Sequence, residues 1–303
     1  LRFSQQPDVI LDAAKDRVVV LVNMQDLHRS AFPFLAWNLE RGQRLCYNVR
    51  DSIHGGNLLH LELPYRQVPC QAIIFDKDGT LIDLMGVLLG IGRSRAQALA
   101  NRVGPMAAKA YQQAIGADLD AGWVDRDGPL SLSPRREEVI LTAGVRYRLG
   151  HPWDDARALA AAAYDDADRM LEPPYGASLL PGVGAALEAL RLQSIPLAIA
   201  TTDRGWRAQA TMQALGVGHC FLAYIGADDV ANGKPAPDMV YACCRRLGCD
   251  VGSAIVVGDS PADLQMARAA GAAAAIGVLT GLNDQERLAP LADIVLPSAA
   301  DLP

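Results

Sequence analysis

Two aspartates that follow a short apolar run are the residues of this chain best placed to do chemistry. Residues 73–75 are apolar, which is typical of a buried strand in a parallel sheet, and Asp76 and Asp78 follow them. Ligands of such sheets bind beyond the carboxyl ends of the strands. Two carboxylates this close are costly unless a cation or a proton offsets their charge. The pair therefore predicts a metal ion here, beside Gly79, which tolerates backbone angles that other residues avoid.

Polar residues follow the later strand candidates in the same way. These are Thr201, Thr202 and Asp203 after residues 197–200, then Lys234, then Asp259 and Asp263 after residues 255–258. The carboxyl ends of parallel strands meet at one edge of a sheet, so we expect these side chains to lie together. Carboxylate oxygens suit Mg²⁺, and a hydroxyl and an ammonium group beside them suit a phosphoryl group.

Taken in order, these groups resemble the motifs of the haloacid dehalogenase-like (HAD) hydrolase superfamily, and most closely its phosphoglycolate-phosphatase-like branch. The motifs are Asp-Lys-Asp-Gly-Thr at 76–80, Thr201, Lys234, and Gly-Asp-Ser-Pro-Ala-Asp at 258–263. The resemblance covers residues 72 to about 300. It implies a Rossmann-like α/β core with a doubly wound parallel sheet, which the alternation of helix and strand candidates over 179–303 also indicates.

The resemblance implies roles for the catalytic residues. Asp76 would be the nucleophile and would form an aspartyl-phosphate. Asp78 would protonate the leaving oxygen and then activate water for the second step. Thr201 and Lys234 would hold the phosphoryl oxygens.

The resemblance also implies Mg²⁺ as the cofactor. Asp76, the backbone carbonyl of Asp78, and Asp259 would bind the ion. Asp263 would act in the outer shell, where it would hold a metal-bound water or Lys234. The metal and the lysine together would neutralise charge on the transferring phosphoryl group.

Three of these assignments have alternatives. Thr202 could bind the phosphate instead of Thr201, although the family often has Asn at that position. Asp263 could simply cap the helix that starts at Pro261. Lys234 could be a solvated surface lysine.

The chain divides into three predicted domains: an N-terminal extension over 1–69, a core over 70–83 and 179–303, and a helical cap of the family's C1 type over 84–178. The predicted core helices are 183–193, 207–215, 237–247 and 261–270, and the strands are 197–200, 224–226, 254–257, 273–278 and 294–296. The predicted cap helices are 94–103, 107–115, 135–148 and 153–171, with a long loop over 116–132.

Caps of this type exclude water and select the leaving group. Arg126 and Arg135 flank the Gly- and Pro-rich end of the predicted cap loop. We expect these two residues to contact the substrate.

The N-terminal extension carries no motif and has the pattern of a small mixed α/β segment. Its strand candidates are 17–23, 45–49 and 58–63, with a turn at Gly55-Gly56 and a linker between Pro64 and Pro69. An extension of this kind could support the cap, present a substrate or form a homodimer. Deletion of residues 1–69, followed by measurement of turnover and oligomeric state, would separate these roles.

Composition narrows the class of protein. The chain has 303 residues, of which 50% are hydrophobic, and a net charge of −6, so it has no global attraction for nucleic acid or anionic membranes. We expect neither a membrane span nor a signal peptide. The six cysteines show neither CxxC spacing nor the pattern of a small secreted domain, which favours a reduced, cytoplasmic protein.

The leading hypothesis is a phosphatase that acts on a small phosphorylated metabolite. Phosphoglycolate, sugar phosphates and nucleotide monophosphates all fit the motifs. A phosphomutase of the same fold, like β-phosphoglucomutase, shares every motif and would differ in its product. A dehalogenase is disfavoured because carbon–halogen cleavage does not need the acid that Asp78 supplies. A non-catalytic binding or scaffold role stays open for the N-terminal segment.

Overall fold

A computed structural model describes residues 9–12, 17–20, 35–38, 43–46, 59–63 and 66–302 of the chain. The chain divides into two units, Leu1–Cys46 and Tyr47–Pro303.

The described strands of the first unit form two antiparallel ribbons. β1 (Val9–Asp12) pairs with β2 (Arg17–Val20), and β3 (Leu35–Asn38) pairs with β4 (Gln43–Cys46). The strand predicted over 17–23 is found as β2, and the one predicted over 45–49 overlaps the end of β4. The predicted Gly55-Gly56 turn lies outside the described residues, and dimerisation through this segment stays a prediction.

A hairpin before the core corrects one prediction. β5 (Leu59–Leu63) and β6 (Arg66–Cys70) pair antiparallel, with Pro69 opposite His60. The linker predicted between Pro64 and Pro69 is therefore wrong, since residues 66–70 form a strand. Pro69 does not prevent this pairing, because an edge strand tolerates a proline. Val68 and Cys70 are buried in the main hydrophobic core. The hairpin therefore belongs to the second unit, whereas the predicted N-terminal extension ran to residue 69.

After β7 (Ala72–Phe75) the chain leaves the sheet and forms a mainly helical segment over 84–170, which coincides with the predicted cap and is called the cap below. Its elements are α1 (Leu84–Val103), α2 (Pro105–Ala114), β8 (Ala117–Asp118), β9 (Trp123–Val124), α3 (Pro129–Leu132), α4 (Arg135–Arg148) and α5 (Trp153–Met170). α1 begins at Leu84 rather than at residue 94, because the Asp83 carboxylate accepts the backbone N–H groups of Met85 and Gly86. The loop predicted over 116–132 contains β8, β9 and α3.

The chain then returns to the core and alternates strands with helices. These elements are α6 (Val183–Leu192), β10 (Leu197–Ala200), α7 (Gly205–Ala214), β11 (Ala223–Ile225), α8 (Asp238–Leu247), β12 (Ala254–Gly258), α9 (Pro261–Ala270), β13 (Ala274–Val278), α10 (Gln285–Leu288) and β14 (Ile294–Leu296). Six strands form one parallel sheet in the order β11-β10-β7-β12-β13-β14. This confirms the predicted α/β fold, and it places the end of β7 between the ends of β10 and β12.

Both faces of the sheet are covered by helices, which explains why its strands are apolar throughout. Ile73 and Phe75 of β7 pack in the cluster that contains helices α6 and α7, whereas Ile74 packs on the opposite face in the cluster of α8 and α9. Successive side chains of a strand point to opposite faces, so burial of both faces requires a continuous apolar run. Among the described residues no helix is long and apolar enough to cross a membrane.

Candidate active site

Asp76 lies at the carboxyl end of the central strand and is held there by the sheet. Its backbone N–H donates to the carbonyl oxygen of Val257 on β12 at 2.8 Å. Its carboxylate accepts a hydrogen bond from Lys234 Nζ, which also lies 2.6 Å from Asp263 Oδ1 on α9. The Lys234 side chain is only 3% exposed, which argues against a solvated surface lysine. Residues far apart in the sequence thus meet at one edge of the sheet.

Asp76, Asp259 and Asp263 form a buried acidic cluster in which one ligand oxygen of each lies within 4.8 Å of the others. Burial raises the pKa of Asp76 to about 7; Lys234 opposes this rise, while Asp263 and Asp78 add to it. Burial and the charges of Asp76 and Asp263 also raise the pKa of Asp259 well above its ordinary range. Lys234 brings one positive charge to three carboxylates. The oxygen donors and the excess of negative charge therefore fit a hard divalent cation such as Mg²⁺.

Two glycines allow Asp259 to reach this cluster. A Cβ atom on Gly79 would lie 2.7 Å from Asp259 Oδ2, and one on Gly281 would lie 1.6 Å from the same oxygen. Gly79 also has a φ of +82°, which other residues rarely adopt. Thr80 Oγ1 donates to Asp259 Oδ1 at 3.2 Å. Contacts at both oxygens therefore fix the Asp259 carboxylate.

Asp263 combines the two roles that the sequence left as alternatives. Its Oδ2 accepts hydrogen bonds from the Ser260 backbone N–H at 3.1 Å and from Ser260 Oγ at 2.6 Å, which caps the start of α9. Its Oδ1 lies beside Lys234. The same carboxylate thus orders the helix and holds the lysine.

Burial separates the two threonines that follow β10. Thr201 is fully buried, and its backbone N–H donates to the carbonyl oxygen of Ile225 at 3.0 Å. Its Oγ1 accepts the backbone N–H of Asp203 at 3.1 Å. Thr202 is exposed. The geometry therefore favours Thr201 as the ordered residue at the end of this strand.

The Asp78 side chain is held by Lys77 rather than by the acidic cluster. Asp78 Oδ1 accepts a hydrogen bond from Lys77 Nζ at 2.8 Å. Burial acts to lower the pKa of Lys77, but Asp78, Tyr175 and Asp203 together raise it above its ordinary value, so Lys77 is a cation. The Asp78 carboxylate is therefore not one of the three clustered carboxylates, as a role for its backbone carbonyl alone would require.

Sequence reasoning assigned no role to Lys77 or Tyr175. The signal that could have revealed Lys77 is its position two residues after a strand that is buried on both faces, where a charged side chain needs partners. Tyr175 gave no signal, because only the folded linker after α5 brings it to the motif.

The structure places the two cap arginines differently. Arg126 donates from Nη2 to the carbonyl oxygen of Gly281 at 2.6 Å, next to Asp259. Arg135 instead pairs with Asp165 at 2.7 Å and Asp168 at 3.2 Å on α5 and lies over the ring of Tyr164. These contacts explain Arg135 as a cation that stabilises the cap, and its predicted contact with the substrate stays a prediction.

A family model of haloacid dehalogenase-like hydrolases matches residues 70–271, which is more than half of the chain. The chain belongs to this family. Its matched region contains Asp76, Asp78, Thr201, Lys234 and Asp259, the residues on which the sequence resemblance depends.

Relatives of this HAD hydrolase include a probable phosphatase, IndB, of Dickeya dadantii (strain 3937), which is 33% identical over 217 residues, 71% of this chain and 84% of the relative. A phosphoglycolate phosphatase of Rhodospirillum rubrum is 30% identical over 204 residues, 66% of this chain and 76% of the relative.

Solved structures show the same fold. A predicted phosphoglycolate phosphatase from Haemophilus somnus 129PT has a TM-score of 0.55 at 23% identity and covers 77% of this chain and 96% of its own. A putative β-phosphoglucomutase from Thermotoga maritima has a TM-score of 0.53 at 22% identity, with the same two coverages, 77% and 96%. At these identities the likeness concerns architecture, and it does not separate phosphatase from mutase.

Proposed function

We propose that this HAD hydrolase is a Mg²⁺-dependent phosphatase that hydrolyses a small phosphate monoester, in the manner of a phosphoglycolate phosphatase. The observation that carries the proposal is the meeting of Asp76, Lys234, Asp259 and Asp263 at the carboxyl edge of the sheet. A phosphate ester is anionic, so a site with three carboxylates and one ammonium group needs a cation to bind it. The phosphatase names of the relatives support the reaction type.

In the proposed first step an Asp76 carboxylate oxygen attacks phosphorus, and the bond between phosphorus and the ester oxygen breaks. Asp78 gives its proton to the leaving oxygen. Lys234 and Thr201 hold the phosphoryl oxygens. Mg²⁺ bound by Asp76, Asp259 and the backbone carbonyl of Asp78 would supply positive charge against the phosphoryl oxygens and favour the ionised form of Asp76.

In the second step water attacks the phosphorus atom of the aspartyl-phosphate. The bond between phosphorus and Asp76 breaks, and Asp78 takes the proton that the water loses. Inorganic phosphate leaves, and the carboxylate of Asp76 is restored. A phosphomutase would instead return the phosphoryl group to a second hydroxyl of the sugar, so the product distinguishes the two functions.

Two features bear on the substrate and the compartment. Arg126 lies on the cap side of the site, near Asp259, and is our first candidate for substrate selection. Five cysteines are free thiols, which supports a reducing compartment such as the cytoplasm; they are Cys70, Cys220, Cys243, Cys244 and Cys249. Comparison of kcat/KM over phosphoglycolate, sugar phosphates and nucleotide monophosphates would identify the substrate class.

The proposal is tested by Asp76→Asn, which should abolish the Mg²⁺-dependent release of inorganic phosphate from 4-nitrophenyl phosphate while the far-UV circular dichroism spectrum stays unchanged. Asp120→Asn removes an exposed cap carboxylate and is the matched control, which should keep full activity. Chelation by EDTA should stop turnover, and added Mg²⁺ should restore it. Full activity in Asp76→Asn would refute the nucleophile assignment, and isomerisation of a sugar phosphate without phosphate release would favour the mutase.

A further inference from the structure

Lys77 is the centre of a second polar network beside the proposed nucleophile. Its side chain is fully buried, and Nζ lies 2.8 Å from Asp78 Oδ1, 3.1 Å from the Tyr175 hydroxyl and 3.5 Å from Asp203 Oδ2. An ammonium group has three N–H donors. Asp78 and Tyr175 accept hydrogen bonds from Nζ and Asp203 forms an ion pair with it, so contacts from three residues fix its position.

Two further contacts close this network. The Tyr175 hydroxyl donates to Asp203 Oδ2 at 2.9 Å. Arg207 Nη1 on α7 lies 3.4 Å from Asp203 Oδ1. Two cations, Lys77 and Arg207, thus lie beside two carboxyl groups, Asp78 and Asp203. Unlike the acidic cluster, this network has no excess of negative charge that a bound ion would have to offset.

The burial of Lys77 is not explained by packing. Taking an ammonium group out of water is costly, and an apolar side chain of similar volume would fill the same space at lower cost. An apolar residue could not make the hydrogen bond that holds Asp78 Oδ1 in place. Lys77 makes it, and the ammonium group is itself held by residues from two other parts of the fold. Tyr175 comes from the linker between α5 and α6, and Asp203 follows β10.

We propose that Lys77 and Tyr175 are positioning residues that hold the Asp78 carboxyl group for proton transfer to the leaving oxygen. This inference rests on the proposed phosphatase function. The Lys77 ammonium group donates to Oδ1 of Asp78, and we assign to Oδ2 the proton that passes to the ester oxygen when the phosphorus–oxygen bond breaks. Tyr175 and Asp203 orient the lysine and act only through it.

A proton donor matters most when the leaving oxygen is strongly basic. Phenyl phosphate has a basic leaving group, whereas 4-nitrophenyl phosphate releases a stabilised phenolate that needs little protonation. The parameter kcat/KM reports the steps up to departure of the leaving group, so it is unaffected by the later hydrolysis of the aspartyl-phosphate. The ratio of kcat/KM between the two esters therefore measures how well Asp78 is positioned.

The first test variant is Tyr175→Phe, which removes one hydroxyl and keeps the ring. It should lower kcat/KM for phenyl phosphate about tenfold, which is part of the at least about 100-fold that general acid catalysis contributes. The kcat/KM for 4-nitrophenyl phosphate should stay within about twofold of the wild-type value. Lys77→Met should widen the ratio further. Tyr224→Phe removes a hydroxyl that donates to the Gly218 carbonyl at 3.0 Å, away from this network, and is the matched control that should leave the ratio unchanged.

The outcomes separate this inference from the proposed function. A larger loss on phenyl phosphate than on 4-nitrophenyl phosphate supports the positioning role. Equal losses on both esters in Tyr175→Phe overturn it and leave the phosphatase assignment intact. If the unaltered protein releases phosphate from neither ester with Mg²⁺, the phosphatase assignment fails and this inference fails with it. Should Lys77→Met not fold, the comparison of Tyr175→Phe with Tyr224→Phe still decides.

Discussion

Replacement of Asp76 by Asn should stabilise the metal-free protein at neutral and alkaline pH. Burial raises the pKa of the Asp76 carboxyl from an ordinary 3.8 to about 7 in the folded protein. Because the folded state binds this proton more tightly than the unfolded state, the carboxyl favours folding at low pH, and this contribution is lost as the pH rises through about 7. An amide at this position has no charge to bury and carries no such dependence.

The magnitude follows from the pKa change. At about 1.4 kcal/mol per pH unit, the full effect is about 4 kcal/mol. Between pH 5 and pH 8 the metal-free wild-type protein should lose about 3 kcal/mol of stability that Asp76→Asn retains. Urea unfolding in EDTA, followed by tryptophan fluorescence at several pH values, measures this difference directly. Added Mg²⁺ should recover the stability of the wild type at pH 8, because binding of the cation favours the ionised carboxylate.

The matched control is Asp120→Asn, which also removes one negative charge but at an exposed position. Its free energy of unfolding should follow the wild-type pH dependence. If Asp76→Asn shows the same pH dependence as the wild type, or is the less stable protein at pH 8 in EDTA, the electrostatic account of the acidic cluster is wrong.

Two further variants test the surroundings of the site. Gly281→Ala places a Cβ 1.6 Å from Asp259 Oδ2 and should weaken Mg²⁺ activation about 10- to 100-fold. Metal titration of phosphate release measures this effect. Gly252→Ala, which has open space around the new Cβ, is the control and should leave Mg²⁺ activation unchanged. Arg126→Gln removes the hydrogen bond from the cap to the Gly281 carbonyl and should raise KM about tenfold. Arg135→Gln should leave KM unchanged, because the partners of Arg135 lie within the cap. An equal rise of KM in both arginine variants would contradict the placement of Arg126 at the site.

The core of this protein could be predicted from sequence because its signals are local. The strands at 72–75, 197–200 and 254–258 are short apolar runs, and each is followed at once by polar residues. A run that is apolar throughout requires two covered faces, which in turn requires parallel strands with crossover helices. That topology forces the strand ends to one edge. Asp76 and Asp259 were therefore predicted to lie near each other without any knowledge of distance.

The features that sequence reasoning missed depend on contacts between distant residues. Pro69 indicated a break in structure, but burial of Val68 and Cys70 against the core outweighs the lost hydrogen bond at an edge strand. Arg135 lies beside a loop in the sequence, yet its place is decided by Asp165 and Asp168, which come 30 and 33 residues later, on a different helix. The residues next to Arg135 in the sequence do not indicate which side chains of another helix it will contact.

The loop after β13 joins the parts of the site that the motifs describe separately. Thr280 Oγ1 donates to the carbonyl oxygen of Gly79 at 2.6 Å, which fastens this loop to the turn that follows Asp78. The next residue, Gly281, packs against the Asp259 carboxylate and accepts the hydrogen bond from Arg126 of the cap. One backbone segment thus contacts the nucleophile turn, a candidate metal ligand and the cap. Because these contacts lie on adjacent residues, we expect a shift of the cap loop to move the Asp259 carboxylate, which would couple metal binding to substrate selection in the proposed function.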